Sequence, residues 1–168
     1  MKYRTRTDAI VIHCTATPFQ RPFNVDGIRA MHMARGFQDI GYHFLIGLDG
    51  EKWEGRKPLG REGAHVRYFN ETTLGVSYVG GLGPDGKPAD TRTPEQTAAM
   101  IAVIKPLLQL YPRAFILGHR DLSPDMDGDG VVEKQEWLKE CPCFDAGPWA
   151  KSVGLPGARY SVGKYVRL

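Results

Sequence analysis

Two short, unbroken apolar runs constrain this chain more than any other feature. Asp8-Ala9-Ile10-Val11-Ile12-His13-Cys14 is rich in β-branched residues, and Ala114-Phe115-Ile116-Leu117-Gly118 leads straight into His119. Runs of this length without alternation read as strands buried on both faces. Burial on both faces requires covering layers on either side, so the chain is predicted to be α/β, with a central mixed sheet flanked by helices. The remaining elements agree. Val25 to Arg35 is helical, with Asn24 as cap and Ile28, Met31, His32 and Arg35 on related faces. Tyr42 to Leu48 and Glu51 to Gly55 flank the hairpin signal Asp49-Gly50, and Leu74 to Val79 is a strand ended by Gly80-Gly81. Thr93-Pro94-Glu95-Gln96 reads as a capping box with proline at the first helical position. The helix after it, to about Tyr111, is apolar on most faces and is expected to be buried, with a kink at Pro106.

The 168 residues suit one domain, and an apolar content of 42% supplies a core. A net charge of +3, from 22 basic and 19 acidic residues, is too mild to argue for a nucleic-acid partner. Three cysteines do not make a disulfide scaffold. Lys2, Arg4 and Arg6 precede an apolar run, Ala9 to Ile12, that is too short for a secretion signal, so the chain is expected to start in the cytoplasm. Residues 150–168 carry Lys151, Arg159, Lys164 and Arg167 and no acid, a charge of +4 that leaves −1 for the rest. That tail reads either as a contact for an anionic polymer or membrane surface, or as a solvated, partly ordered end.

His13 and His119 both stand where a buried strand ends, and Cys141-Pro142-Cys143 follows downstream. Two imidazoles and one thiolate make an open zinc set with a fourth position for water or substrate. Taken singly, each histidine reads equally well as a satisfied core residue and each cysteine as a small buried filler; spacing does not decide between these readings.

A resemblance extends the argument. Ile10-Val11-Ile12-His13-Cys14-Thr15-Ala16-Thr17, Gly41-Tyr42-His43-Phe44-Leu45-Ile46, Gly63-Ala64-His65, Asn70, Leu74-Gly75-Val76, Gly80-Gly81, Thr93-Pro94-Glu95-Gln96, Gly118-His119-Arg120-Asp121 and Cys141-Pro142 occur in this order. Together they resemble the zinc-dependent N-acetylmuramoyl-L-alanine amidases, the family of amidase-type phage lysozymes and peptidoglycan recognition proteins. The match covers roughly residues 8–150. It implies a mixed sheet with helices around it, and zinc held by His13, His119 and Cys141, the last from a Cys-Pro-x-Phe-Asp element. Cys143 falls at that element's variable position and is read as a bystander. Tyr42 matches the catalytic tyrosine, Lys139 the catalytic lysine of the phage branch, and His65 and Asn70 positions that line the substrate groove. The bond cut would join the lactyl group of N-acetylmuramic acid to L-alanine. Donors aimed at the developing oxyanion, such as Lys139 and Tyr42, are worth about 3 kcal/mol each in such chemistry.

Between His119 and Cys141 lie 21 residues, a longer link than the family usually has. Within it, residues 125–136 fit the full EF-hand calcium pattern Asp-x-Asp-x-Asp-Gly-x5-Glu. Asp125, Asp127, Asp129 and Glu136 would give side-chain oxygens, Val131 its carbonyl, and Glu133 a direct or water-mediated contact, with Gly130 at the sharp turn. Pro124 argues against an entering helix; an exit helix over Glu133 to Glu140 is expected, so calcium could order the segment that presents Lys139 and Cys141.

The expected function is a phage-type endolysin: one catalytic domain over residues 1–168, monomeric, acting on bacterial peptidoglycan in the periplasm once the membrane has been permeabilised. Alternatives are a non-catalytic peptidoglycan-binding module, a wall-recycling amidase of bacteria, and a polymerase regulator. The retained Cys141 argues against the binding module.

Overall fold

In a computed structural model, which describes residues 2–161 and 164–168, the order is β1 (Ala9–Cys14), β2 (Thr17–Pro18), α1 (Val25–Ala34), β3 (Phe44–Ile46), β4 (Lys52–Glu54), β5 (Thr73–Tyr78), β6 (Gly81–Leu82), α2 (Pro94–Leu110), β7 (Phe115–Gly118), α3 (Ala146–Ser152), β8 (Ala158–Ser161) and β9 (Lys164–Arg167). Met1, Val162 and Gly163, which belong to the terminal segments read above, lie outside the described residues.

The two apolar runs do lie side by side. The main sheet has the order β4-β3-β5-β1-β7, with β1 parallel to both β5 and β7, β3 parallel to β5, and β4 antiparallel at the edge. Every residue of β1 and β5 is buried, as strands covered on both faces must be. One face carries Ile10, Ile12, Leu74, Val76 and Ile116 against Met100, Ile104 and Leu107 of α2 and Ala146 and Ala150 of α3. The other face carries Ala9, Val11 and Leu117 against Val66 and Leu122, and Leu45 against Ile28 of α1 and Ile40. A mixed sheet between helical layers therefore forms as expected.

Local chemistry sets the element ends. Asn24 accepts from the Gly27 N–H at the start of α1. At α2 the Thr93 hydroxyl accepts from the Gln96 N–H, and the Gln96 side chain accepts from the Thr93 N–H, each at 3.0 Å. Gln96 is fully buried and its amide also donates to the Val79 carbonyl at 2.8 Å, so the helix cap is tied to the end of β5.

Several expectations need correction. α2 is not buried all round: Ala98, Ala102, Lys105, Pro106, Gln109 and Leu110 are exposed among the described residues, because the helix lays only one side on the sheet. Pro106 stands on that open side without ending the helix. In α1, Ile28 and His32 are buried but Met31 is exposed. The exit helix over Glu133 to Glu140 is absent, and only a 3-10 turn, Lys134–Glu136, forms. The Leu138 N–H goes to the Ser123 hydroxyl instead of to a helical carbonyl, and Trp137 packs against the Arg120 guanidinium, which draws the chain out straight. The basic tail is folded: β8 and β9 pair antiparallel, Leu155 and Ala158 are buried, and the Ile116 N–H of β7 donates to the Pro156 carbonyl. No helix among the described residues is long and apolar enough to cross a membrane.

Thr93→Ala should lower unfolding stability by about 1 kcal/mol, the usual worth of a cap. Gln96→Leu should cost more, about 1–3 kcal/mol, because it also orphans the buried Val79 carbonyl. Urea denaturation of the two variants against the parent chain checks both the size and the order of the effects.

Candidate metal centre

The site forms where the parallel strands β1 and β7 end. His13 is the next-to-last residue of β1, and its neighbour Cys14 points to the opposite sheet face. His119 follows Gly118, the last residue of β7. Cys141 arrives from far along the chain and must be held there. The Arg120 N–H donates to the Cys141 carbonyl at 2.8 Å, and the Tyr78 hydroxyl donates to the Pro142 carbonyl at 2.7 Å. The Arg120 guanidinium pairs with Asp145 and lies 3.9 Å from the centre of the Trp137 ring. The crossing is tight: a Cβ on Gly118 would come within 2.6 Å of Pro142. One residue, Arg120, thus grips both sides of the segment that carries Lys139 and Cys141.

These anchors bring three ligand types together. One ligand atom each from His13, His119 and Cys141 lies within 4.8 Å of the others. His13 Nδ1 and Cys141 Sγ are 3.7 Å apart, and the His13 and His119 ring centres are 4.8 Å apart. Cys141 Sγ also accepts from the Cys14 N–H at 3.3 Å, a bond suited to a thiolate.

His65 decides which nitrogen of His13 faces the site. His65 Nε2 lies 3.4 Å from the Thr73 carbonyl, which can only accept, so Nε2 carries the proton and Nδ1 is bare. His65 Nδ1 is 3.0 Å from His13 Nε2, so His13 donates from Nε2 and keeps its Nδ1 lone pair toward Cys141. Gly75 makes room for this ring, since a Cβ there would meet His65 Cγ at 2.8 Å. Asn70 does not reach the cleft. Its side-chain oxygen accepts from the His65 and Val66 N–H groups at 2.9 and 3.1 Å, shaping the loop that carries His65.

Around the three ligands is a cleft of about 140 Å³, walled by Thr15, His32, Tyr42 and His65, with Arg35 and Lys139 bringing positive charge. Burial, followed by neighbouring His119, holds His13 well below the ordinary imidazole pKa; burial, followed by His43, does the same for His65. Burial, helped by the Lys139 charge, lowers His119 to about 4. All three rings are therefore neutral near pH 7, as ligation by a lone pair requires. Tyr42, its ring 5.2 Å from that of His13, has its pKa raised by burial and by Cys141, so its phenol keeps its proton.

Cys143 stands apart. Its sulfur is 3.7 Å from Cys14 Sγ and 3.5 Å from the Gly81 carbonyl, on the other side of the strand end from the histidines. Of the six calcium candidates, Asp125, Asp127 and Glu136 converge within 4.8 Å. Asp129 accepts instead from the Val131 N–H, and Glu133 from the Gln135 amide.

The sequence profile of the N-acetylmuramoyl-L-alanine amidases matches residues 3–142. The chain belongs to this family. An endolysin of Enterobacteria phage K11 is 36% identical over 152 residues, covering 90% of this chain and 91% of the relative. An endolysin of Escherichia phage T7 is 34% identical over 148 residues, 88% of each. Among solved structures, the Ph2119 endolysin of the Thermus scotoductus MAT2119 bacteriophage is 26% identical with a TM-score of 0.64, covering 91% of this chain and 90% of that one. Bumblebee PGRP-SA, at 23% identity and a TM-score of 0.67 over 90% and 84%, shares the fold.

Sequence reasoning missed Arg120 as the clamp and His65 as the partner of His13. Both sat inside quoted segments, and the signal was a charged or titratable residue two positions after a glycine. His65→Ala should weaken metal binding about 10- to 100-fold, the usual effect of losing a ligand's hydrogen-bond partner. Competition with a chromophoric chelator checks this, and an unchanged affinity would remove His65 from the metal centre.

Proposed function

We propose that this protein is a phage-type endolysin, a zinc-dependent amidase that hydrolyses the bond between N-acetylmuramic acid and L-alanine. The observation that carries the reading is the convergence of His13, His119 and Cys141 in one cleft with Tyr42 and Lys139. Zinc bound at about 2.0–2.3 Å holds tetrahedral ligand atoms about 3.3–3.8 Å apart, and the His13–Cys141 separation of 3.7 Å suits it. His13 Nδ1, His119 and Cys141 Sγ would hold the ion. When bound, it supplies an acidified water and positive charge beside the scissile carbonyl. Lys139 compensates the negative charge that grows on the carbonyl oxygen as water adds. Tyr42, protonated, gives its proton toward the alanine nitrogen as the C–N bond breaks, leaving a lactyl carboxylate and a free peptide amine. His65 borders the cleft and orients His13, and Asn70 supports the His65 loop.

Residues 8–150 act as the catalytic core, with 125–136 inserted in it, and the protein works as a monomer on the periplasmic wall after the membrane is opened. Arg159 and Arg167, exposed on the β8–β9 hairpin, offer a contact to anionic wall or membrane surface.

Digestion of purified peptidoglycan, read by mass spectrometry, tests the reading. Free stem peptides starting at L-alanine and intact glycan strands are expected, with activity lost in chelator and restored by zinc. Cys141→Ser should lose zinc and activity together while Cys143→Ser keeps both. Lys139→Ala should lower kcat about 100-fold or more, as for a lost oxyanion donor, and Tyr42→Phe should lower it about 100-fold or more, as for a lost general acid. Sacculi bound but never cut would make the protein a recognition module.

The 125–136 loop is proposed to take calcium, on the strength of the complete motif and of Asp125, Asp127 and Glu136 within 4.8 Å of one another. Without an exit helix, any coupling to the zinc site runs through the Leu138–Ser123 hydrogen bond and the Trp137–Arg120 contact. Zinc affinity measured with and without calcium should then differ, and calcium affinity should change by the same factor with zinc. Equal affinities would end the coupling, and the absence of any calcium binding by calorimetry would end the site.

A further inference from the structure

A second pocket, of about 450 Å³, lies beside the metal cleft and takes no part in the chemistry above. Its walls are Tyr68, Phe69, Leu122, Pro124, Val132 and Tyr160. Pro124 and Val132 come from the segment between His119 and Cys141 that is long in this chain, so that segment builds the outer wall.

Two stretches of chain run from the cleft into this pocket. Ala64 and His65 line the cleft while Tyr68 and Phe69 line the pocket; His119 lines the cleft while Leu122 and Ser123 line the pocket. The first stretch spans at most about 10 Å from His65 to Tyr68, even fully extended. The second, a 3-10 turn, rises about 6 Å from His119 to Leu122. A polymer seated at the metal cleft and continuing in this direction therefore meets the pocket within a disaccharide's reach.

The lining favours a neutral ligand with an apolar face. Each inner polar oxygen already has a partner within the fold: the Ser123 hydroxyl accepts from the Leu138 N–H, and the two Asp125 oxygens accept from the Gly128 and Gly130 N–H groups. The rest is mainly aromatic surface, with the Arg67 guanidinium 4.9 Å from the centre of the Tyr68 ring, over one of its two faces. Phe69 and Tyr160 meet edge to face at 5.1 Å and form a fixed wall. Tyr68 is 85% exposed, the most exposed large apolar side chain of the described residues, and its backbone sits at φ +71°, a region that bulky residues rarely adopt. A strained backbone holding an aromatic ring in water marks a contact surface. The C–H face of a pyranose packs on the electron-rich face of such a ring.

We propose that this pocket is a saccharide subsite, in which Tyr68 stacks on an amino-sugar ring of the glycan strand flanking the stem peptide being cut. The proposal rests on the amidase reading for its ligand, and its test separates the two. The zinc-loaded protein, Tyr68→Ala and Tyr68→Phe are assayed on whole sacculi and on a single N-acetylmuramoyl dipeptide, and are titrated with peptide-free glycan strands. Tyr68→Ala should raise KM on sacculi about five- to tenfold, the size of one lost aromatic contact, with kcat unchanged. It should leave the single-sugar substrate unaffected and lose binding to free glycan, while Tyr68→Phe behaves as the parent chain. Equal KM on sacculi for parent and Tyr68→Ala would overturn the subsite, as would an equal loss on the short substrate. Binding of lipid vesicles in place of glycan through Tyr68 would overturn it as well. If the parent chain cuts neither substrate, the amidase reading fails, and Tyr68-dependent binding of free glycan still decides the subsite on its own.

Discussion

Placing an imidazole at the buried end of a central strand costs free energy unless both ring nitrogens are satisfied. The His13–His65 hydrogen bond meets half of that demand, and the other half is met only by a group at Nδ1. Much of the surrounding structure follows from this arrangement. Gly75 is bare so that the His65 ring can lie on the sheet, Asn70 shapes the loop beneath it, and the Thr73 carbonyl fixes its tautomer. The metal centre is thus one end of a hydrogen-bond relay rooted in β5, and the strands keep its geometry rigid.

The other side of the centre depends on a long-range grip. Cys141 is separated from His13 by most of the chain, and a sulfur arriving that way needs fixed backbone. Arg120 provides this through its N–H, its pairing with Asp145 and its contact with Trp137, all starting one residue from His119. The residue next to one ligand therefore sets the position of another. Two cationic side chains, Arg35 and Lys139, then give the cleft a positive character suited to an anionic polymer.

The fold was legible wherever a local rule suffices. Continuous apolar runs marked β1 and β7, Asp49-Gly50 marked the β3–β4 hairpin, and Thr93 with Gln96 marked the start of α2. The grouping of His13, His119 and Cys141, which could hold a metal, was legible through strand-end histidines and a resemblance to a family whose profile the chain matches. The failures share a cause. The tail hairpin, the missing helix after residue 136 and the open face of α2 are each decided by what packs against them. The Ser123 hydroxyl competes for the Leu138 N–H, and β7 lends its free edge to the tail at Pro156. No window of sequence contains both partners.

The sequence by itself therefore determined residue types and local geometry: which runs are strands, where helices begin, and which side chains have the chemistry to bind a metal or move a proton. Those properties reside in single residues and their near neighbours. Tertiary structure alone decided that His65, while bordering the cleft, also bonds to His13, that Asn70 serves a backbone turn, and that Cys143 lies against Cys14. Each of these is a choice among equivalent donors or acceptors, and hydrogen-bond geometry resolves it only when residues distant in the chain come within about 3–4 Å.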